Sequence, residues 1–288
     1  MLHHSNLYID LLQIARNALM IKSTLPPGTR LIPVLKGNAY GMGAREIYTA
    51  LADARDTRPN AMHYALYAVA HVSEAHALRE AGYDKDILLL GGAPKPLLRD
   101  IVELGVTPAV YGGDTARALS AEAARQGKTD YPVQIKIDAG LRRLGVRPDG
   151  EAMGLAQTLR RLGNLRVTGA YTHFSLLDTM DETAARRELA RFLRAVGEIE
   201  DAGIPIPMRH AAASAVSEWF PEANLDAVRI GRRLYMGPPP FPNAPPDTGL
   251  IGDAVSWRGS VLETHTLSKG ARAGYGGSFT APRDMEVA

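Results

Sequence analysis

The sequence predicts an α/β protein: a (β/α)8 TIM-type barrel followed by a short, apparently incomplete C-terminal β segment. Three observations predict it. Short apolar runs alternate with longer amphipathic stretches, as strands alternating with helices do. Several runs are continuously apolar, the pattern of parallel strands buried on both faces. Eight such units fit before Gly237, close to the ~250 residues typical of a closed barrel. An open, doubly wound sheet is the alternative architecture with the same alternation.

The elements follow in order. LYIDLLQIARNALMIK (7–22) is apolar at helical spacing, interrupted by Asp10, Gln13 and Arg16, and reads as a packing helix. LIPVL (31–35) is the first barrel strand and AREIYTALADA (44–54) its helix. YALYAV (64–69) precedes HVSEAHALREAG, a helix that Ser73 would cap, with Glu74 in its first turn, and that Gly82 would stop. DILLLGG (86–92) precedes PKPLLRDIVELG, with Pro at its start and Gly105 at its end. TPAVYG (107–112) leads to DTARALSAEAARQG, with Asp114 as N-cap. YPVQIKID (131–138) leads to EAMGLAQTLRRLG, and LRVTGAYTHF (165–174) to ETAARRELARFLRAVGEIEDAG. IPMRHA (206–211) and DAVRIG (226–231) complete the series. PPPFPNAPPDTG then reads as a linker or wrapping loop, and AVSWRGSVLETHTL as β structure. The expected domains are therefore 1–237, the barrel, and 238–288, a partial β domain.

Composition narrows the function. The chain has 288 residues, 33 basic and 31 acidic, for a formal charge of +2. Apolar residues are 45% and charged residues 22%, which excludes wholesale disorder. No Lys/Arg run marks a nucleic-acid surface. Cys is absent, excluding disulfides, a thiol nucleophile and Cys-ligated metals. No apolar stretch reaches the ~18 residues of a membrane helix, and no secretory signal is seen, so a cytoplasmic protein is expected. His3 and His4 start the chain, and His63, His71 and His76 lack metal-ligand spacing, so no metal is expected.

In such barrels the chemistry sits at the C-terminal strand ends. Lys36 follows LIPVL; Lys136, Asp138 and Arg143 follow or end strand 5; His173, His210 and Arg229 end strands 6, 7 and 8. This mouth is cationic and suits a ligand carrying phosphate or carboxylate. Lys occurs only seven times, so one after an apolar strand stands out. Partial desolvation would lower its pKa and let it form a Schiff base with a carbonyl substrate or with pyridoxal phosphate; a surface Lys at a strand end is the plainer reading. Two Gly around Tyr40 in GNAYGMG (37–43) make a tight turn where backbone can approach a ligand. Ser214 and Gly231 follow strands 7 and 8, the usual phosphate location in these barrels, although a Ser at a helix start is also an ordinary N-cap.

Together these segments resemble the alanine racemase family of pyridoxal-phosphate enzymes over roughly residues 7–285. VLKGNAYGMG resembles the cofactor-lysine segment, and QIKIDAGLRRLG the Lys-x-Asp-x-Gly-x-x-Arg-x-Gly segment. GAYTHFSLLD, with Asp178 five residues after His173, matches the Thr-His-Phe segment. FPEANLDAVRIGRRLYMG and AGYGGSFTA match the Val-Arg-x-Gly and Tyr-Gly-x-x-Phe/Tyr-Thr-Ala segments. The resemblance implies that Lys36 holds pyridoxal 5′-phosphate and acts as acid/base on one face of the substrate Cα. It implies Tyr275 as the acid/base on the other face, donated by the second subunit of a homodimer. His173 would lie beside the cofactor and tune Tyr275, Arg229 would face the pyridine nitrogen, and His210 would orient Arg229. Arg143 would bind the substrate carboxylate and contact the cofactor's phenolic oxygen. A carbamylated Lys136 would pair with Arg143, and Tyr40, Ser214 and Gly231 would hold phosphate. The implied activity interconverts L- and D-alanine, supplying D-alanine for bacterial peptidoglycan.

Three departures from the family pattern stand out. Ala213 occupies a position usually Asn, and Arg232 one usually aliphatic. The chain also ends soon after Tyr275, without the family's later Met-Asp segment and Tyr. The alternatives are accordingly a truncated, weakly active or inactive cofactor-binding homologue, a racemase of another amino acid such as serine, a decarboxylase on the same barrel, or a cofactor-free aldolase using Lys36.

Overall fold

Asp10 ends the first strand and starts the first helix. In the computed structural model, which describes residues 5–53, 64, 66–175, 180–237 and 251–288, β1 is Ser5–Ile9 and α1 is Leu11–Thr24. Asp10 has extended backbone angles and its side chain accepts from the Gln13 N–H, as an N-cap does. The stretch 7–22 is therefore a strand and a helix rather than one helix, because the residue read as an interruption is a cap. His3, His4, His63, Asp178 and the Pro-rich stretch 238–249 lie outside the described residues.

The chain divides into two units, Asp10–Ala254 and Met1–Ile9 with Val255–Ala288. The division falls at 254/255, whereas the change in composition falls after Gly237, and the second unit takes in the N-terminal strand.

In Asp10–Ala254 the order is β2 (Arg30–Pro33), α2 (Lys36–Tyr40), α3 (Ala44–Asp53), β3 (Tyr67–Val69), α4 (Val72–Glu80), β4 (Ile87–Leu89), α5 (Leu98–Glu103), β5 (Thr107–Val110), α6 (Gly113–Arg125), β6 (Tyr131–Lys136), α7 (Glu151–Leu162), β7 (Leu165–Tyr171), α8 (Glu182–Asp201), β8 (Arg209–His210), α9 (Ser214–Trp219) and β9 (Ala227–Ile230). Strands β3 to β8 form one parallel sheet, and β2 pairs with β9, Arg30 opposite Ala227. Single parallel bridges, Val34 to Ala68 and Ala213 to Arg229, join this pair to the sheet on either side. The eight strands thus close on themselves. Ile32, Val34, Leu66, Ala68, Leu88, Ala109, Tyr171, Met208 and Ala227 fill the interior. The outer helices bury one stripe each, as Leu155, Ala156 and Leu159 do on α7 and Leu189, Phe192, Val196 and Ile199 on α8.

Two caps differ from those the sequence suggests. His71 rather than Ser73 is the N-cap of α4, and Glu74 reaches back to form a capping box. Helix α6 begins at Gly113 after the extended Gly112, so Asp114 sits inside the first turn.

The other unit is built of short antiparallel pairs. β1 pairs with β10 (Val255–Gly259), Ser5 opposite Gly259. β11 (His265–Leu267) pairs with β14 (Met285–Val287), and β12 (Arg272–Ala273) with β13 (Phe279–Thr280).

Asn17 is fully buried on α1. Its amide donates to the Leu234 and Gly252 carbonyls at 2.9 and 2.8 Å and accepts from the Gly252 N–H at 3.1 Å. Asn17→Ala leaves the Leu234 carbonyl buried without a partner and strips the half-buried Gly252 of two hydrogen bonds; it is expected to cost about 3 kcal/mol, read as a lower midpoint in urea unfolding.

Candidate active site

Lys36 opens α2, which is a single left-handed turn. Gly37, Asn38, Ala39 and Tyr40 all have φ between +51° and +62°, and Gly41 follows at +88°. Each non-Gly residue there costs roughly 1–2 kcal/mol, so bonds around the turn must hold it. The Ala39 N–H donates to the Leu35 carbonyl at 2.8 Å, Gly41 to Gly37 at 2.7 Å, and the Asn38 side chain accepts from the Ala44 N–H at 2.8 Å. The ladder of β2 ends at Pro33, and Leu35 is still tied to the barrel through the Ala68 carbonyl at 2.8 Å. Lys36 faces a cavity of about 300 Å³ with its amine 5.8 Å from the Tyr40 ring centre. Burial lowers its pKa, Arg143 and Arg229 add to the effect, and Glu74 opposes it.

A second wall forms where Ser214, Gly231 and Tyr40 meet. Ser214 lies one residue inside α9, and its hydroxyl accepts from the Gly231 N–H at 3.2 Å instead of capping its own helix. A Cβ at Gly231 would lie 2.1 Å from the Tyr40 hydroxyl. Glycine is therefore required for the phenol to reach this corner.

Arg229 forms the floor. It is 3% exposed, and no carboxylate pairs with it among the described residues. Its Nη1 donates to the His210 ring Nδ1 at 2.8 Å and the His210 carbonyl at 3.1 Å. Its Nη2 donates to the Thr172 and Ala211 carbonyls at 2.8 and 2.9 Å and to the His173 Nδ1 at 3.2 Å. Both imidazoles accept at Nδ1, which assigns the proton of each to Nε2. The His210 Nε2–H then donates to the Gln134 side-chain amide oxygen Oε1 at 2.8 Å. The guanidinium Nε–H alone has no acceptor among the described residues. Tyr171 supports the group from one side: His210 stacks on it at 4.8 Å, and Arg229 and Lys136 lie 5.2 and 5.5 Å from its ring centre.

Lys136 ends β6 and is 5% exposed. Burial first, then Arg143, Arg229 and Lys36, bring its pKa down to about 8, with Asp138 opposing. Lys36, Lys136 and Arg143 all line the cavity, yet none has a hydrogen-bonded or ion-paired anion among the described residues. His210 lies behind Arg229 and reaches the cavity through it. Tyr275 belongs to the other unit, where it opens a 3-10 turn with its ring fully exposed, at 105%.

A sequence model of the alanine racemase N-terminal domain matches residues 9–239. The chain belongs to this family. The alanine racemase of Desulforamulus reducens is 33% identical over 282 residues, 97% of this chain and 73% of that protein. The solved alanine racemase from the D-cycloserine producing Streptomyces lavendulae superposes with a TM-score of 0.85 at 27% identity, covering 99% of this chain and 73% of that one. The Bartonella henselae alanine racemase, solved with covalently bound pyridoxal phosphate, shares the fold at a TM-score of 0.78 and 24% identity, over 99% of this chain and 74% of that one.

This alanine racemase-family cavity suits pyridoxal phosphate on the chemistry of its donors. An amine of lowered pKa, two further cations without anions, a guanidinium N–H without an acceptor and a glycine-lined corner ask for an anionic ring bearing an aldehyde. Of the departures from the family pattern, Ala213 makes the backbone bridge to Arg229, and the Arg232 Nε turns to the Met236 sulfur at 3.2 Å. Tyr171, Gln134 and Glu74 also build the site. Spacing marks none of the first two, but Glu74 stands three residues after its cap, the spacing of a capping box.

Burial and Arg229 pull the His210 ring well below the imidazole range, and the same causes, with Arg143 and the two lysines, bring His173 to about 3. The unfolded chain binds these protons near pH ~6.5, while the folded chain refuses them. Stability is therefore expected to be full above that pH and to fall below it, by up to about 1.4 kcal/mol per pH unit from His210. Urea unfolding measured down the acid limb checks the slope, and His210→Gln should flatten it.

Proposed function

We propose that this chain interconverts L- and D-alanine on pyridoxal 5′-phosphate held in the cavity, with Lys36 and Tyr275 as its two acid/bases. Membership of the alanine racemase family makes it an amino-acid racemase of pyridoxal-phosphate type. One observation carries the residue assignment: a desolvated Lys36 amine shares a cavity with the Tyr40–Ser214–Gly231 corner and the buried Arg229.

When bound, the cofactor withdraws electrons from the substrate Cα and so acidifies its proton. Racemisation removes that proton from one face and returns one to the other, which needs two groups able to give and take protons. Lys36 serves one face, and burial with the neighbouring guanidinium groups lowers its pKa, which favours the neutral, proton-accepting amine. Tyr275 serves the other, supplied by the second subunit of a homodimer. His173, neutral and beside Arg229, tunes that phenol. Arg229, whose Nε–H has no acceptor among the described residues, would face the pyridine nitrogen, where a cation would disfavour protonation of the ring and so moderate the electron sink. His210 orients Arg229. Tyr40, Ser214 and Gly231 hold the phosphate, and Arg143 holds the substrate carboxylate and contacts the phenolic oxygen. With a pKa of about 8, Lys136 has a neutral fraction whose nitrogen can add to carbon dioxide, releasing a proton to give a carbamate anion. That anion pairs with Arg143. The family resemblance supports the dimer and a cytoplasmic role in supplying D-alanine for peptidoglycan.

Reconstitution with the cofactor should give a yellow protein in which borohydride fixes it on the Lys36 peptide, and L-alanine should lose its optical rotation. A colourless chain that ignores the cofactor contradicts the proposal. Tyr275→Phe, which deletes one acid/base, should lower racemisation by ~10²–10⁴-fold while the absorbance of bound cofactor stays unchanged; surviving activity would show that another group serves that face.

A further inference from the structure

Three hydrogen bonds converge on one carboxylate beside the lysine turn. The Gly37 N–H donates to Glu74 Oε1 at 2.6 Å. The Ala70 and His71 N–H groups donate to Glu74 Oε2 at 2.7 and 3.1 Å. In an ordinary capping box the Glu serves only its own helix start. Here the second oxygen reaches 37 residues back along the chain. The Gly37 N–H belongs to the peptide unit attached to the Cα of Lys36, so the bond fixes the plane from which the lysine side chain departs. It also ties the first peptide of the left-handed turn to Ala70, itself a cavity-lining residue, and to the N-cap of α4.

We propose that Glu74 is a positioning residue for Lys36: its carboxylate clamps the Lys36–Gly37 peptide and so aims the amine into the cavity. The inference rests on the cofactor reading above. The strain of the turn gives the clamp its purpose, because Asn38, Ala39 and Tyr40 keep left-handed angles only while surrounding bonds hold them. Glu74 is also the one group raising the Lys36 pKa against burial, Arg143 and Arg229. The other groups facing the amine are Lys136, His173 and the Tyr40 ring.

The test is covalent capture of pyridoxal phosphate by the cofactor-free full chain. The Lys36 nitrogen adds to the aldehyde carbon, the carbonyl oxygen leaves as water, and hydride from borohydride reduces the resulting C=N bond. Peptide mass gives the rate of capture at Lys36 as a function of pH. Glu74→Ala should lower the high-pH plateau at least ~10-fold, the scale of a misplaced reacting group, and move the pH midpoint down. Glu74→Gln keeps an acceptor for Gly37 but loses the charge; it should hold its plateau within about threefold and show the lower midpoint alone. Asp10→Ala removes a cap from a different helix and should lower the melting temperature without moving plateau or midpoint. A folded Glu74→Ala chain with the wild-type plateau overturns the clamp, as does a Glu74→Gln chain whose plateau falls as far as that of Glu74→Ala. Absence of capture in the wild type overturns the cofactor reading and the clamp with it.

Discussion

The site is organised around a buried cation that no carboxylate neutralises. Arg229 is almost fully enclosed, and taking a guanidinium out of water costs several kcal/mol unless its N–H groups find acceptors. Three carbonyls and two imidazole nitrogens supply them. That solution dictates the rest of the floor. Both histidines must be neutral and must accept at Nδ1, the Gln134 side-chain oxygen must accept from the His210 Nε2–H, and the chain after β7 and β8 must turn its Thr172 and Ala211 carbonyls inward. The positive charge is left uncancelled, and it lowers the pKa of Lys36, Lys136, His173 and His210 around it.

Strand order carries this arrangement to the other wall. Arg229 lies on β9 and Lys36 follows β2, and these strands pair directly, Ile32 opposite Arg229. The left-handed turn after β2 then swings the Tyr40 phenol back toward Gly231, two residues beyond Arg229. A right-handed turn would lead the chain elsewhere. The strained backbone is what lets one short segment supply both an amine and a phenol to one cavity.

The eight strands were legible because burial on both faces makes each a nearly unbroken apolar run, as in LIPVL and DILLLGG. Lys36, Lys136, His173 and Arg229 were legible because polar groups ending such runs have few cheap destinations. Helix starts were less so. Ser73 and His71 compete for one cap, and it falls at His71, from which Glu74 stands at the three-residue spacing of a capping box. The left-handed turn was visible only as two glycines, since Ala39 and Tyr40 show no local preference for it. Tyr171 and Gln134 look like ordinary strand residues, and their roles come from the neighbours that barrel closure brings.

Closure itself is uneven. β6 and β7 share a register of six residue pairs, whereas β2 and β9 are joined to their outer neighbours by one bridge each. The pair therefore forms a stave of its own in the wall, held on the β8 side by the Arg229 side chain as well as by its bridge. The amine-bearing turn and the glycine corner ride on the same stave, so one four-position register, rather than the whole circuit of the barrel, sets their spacing.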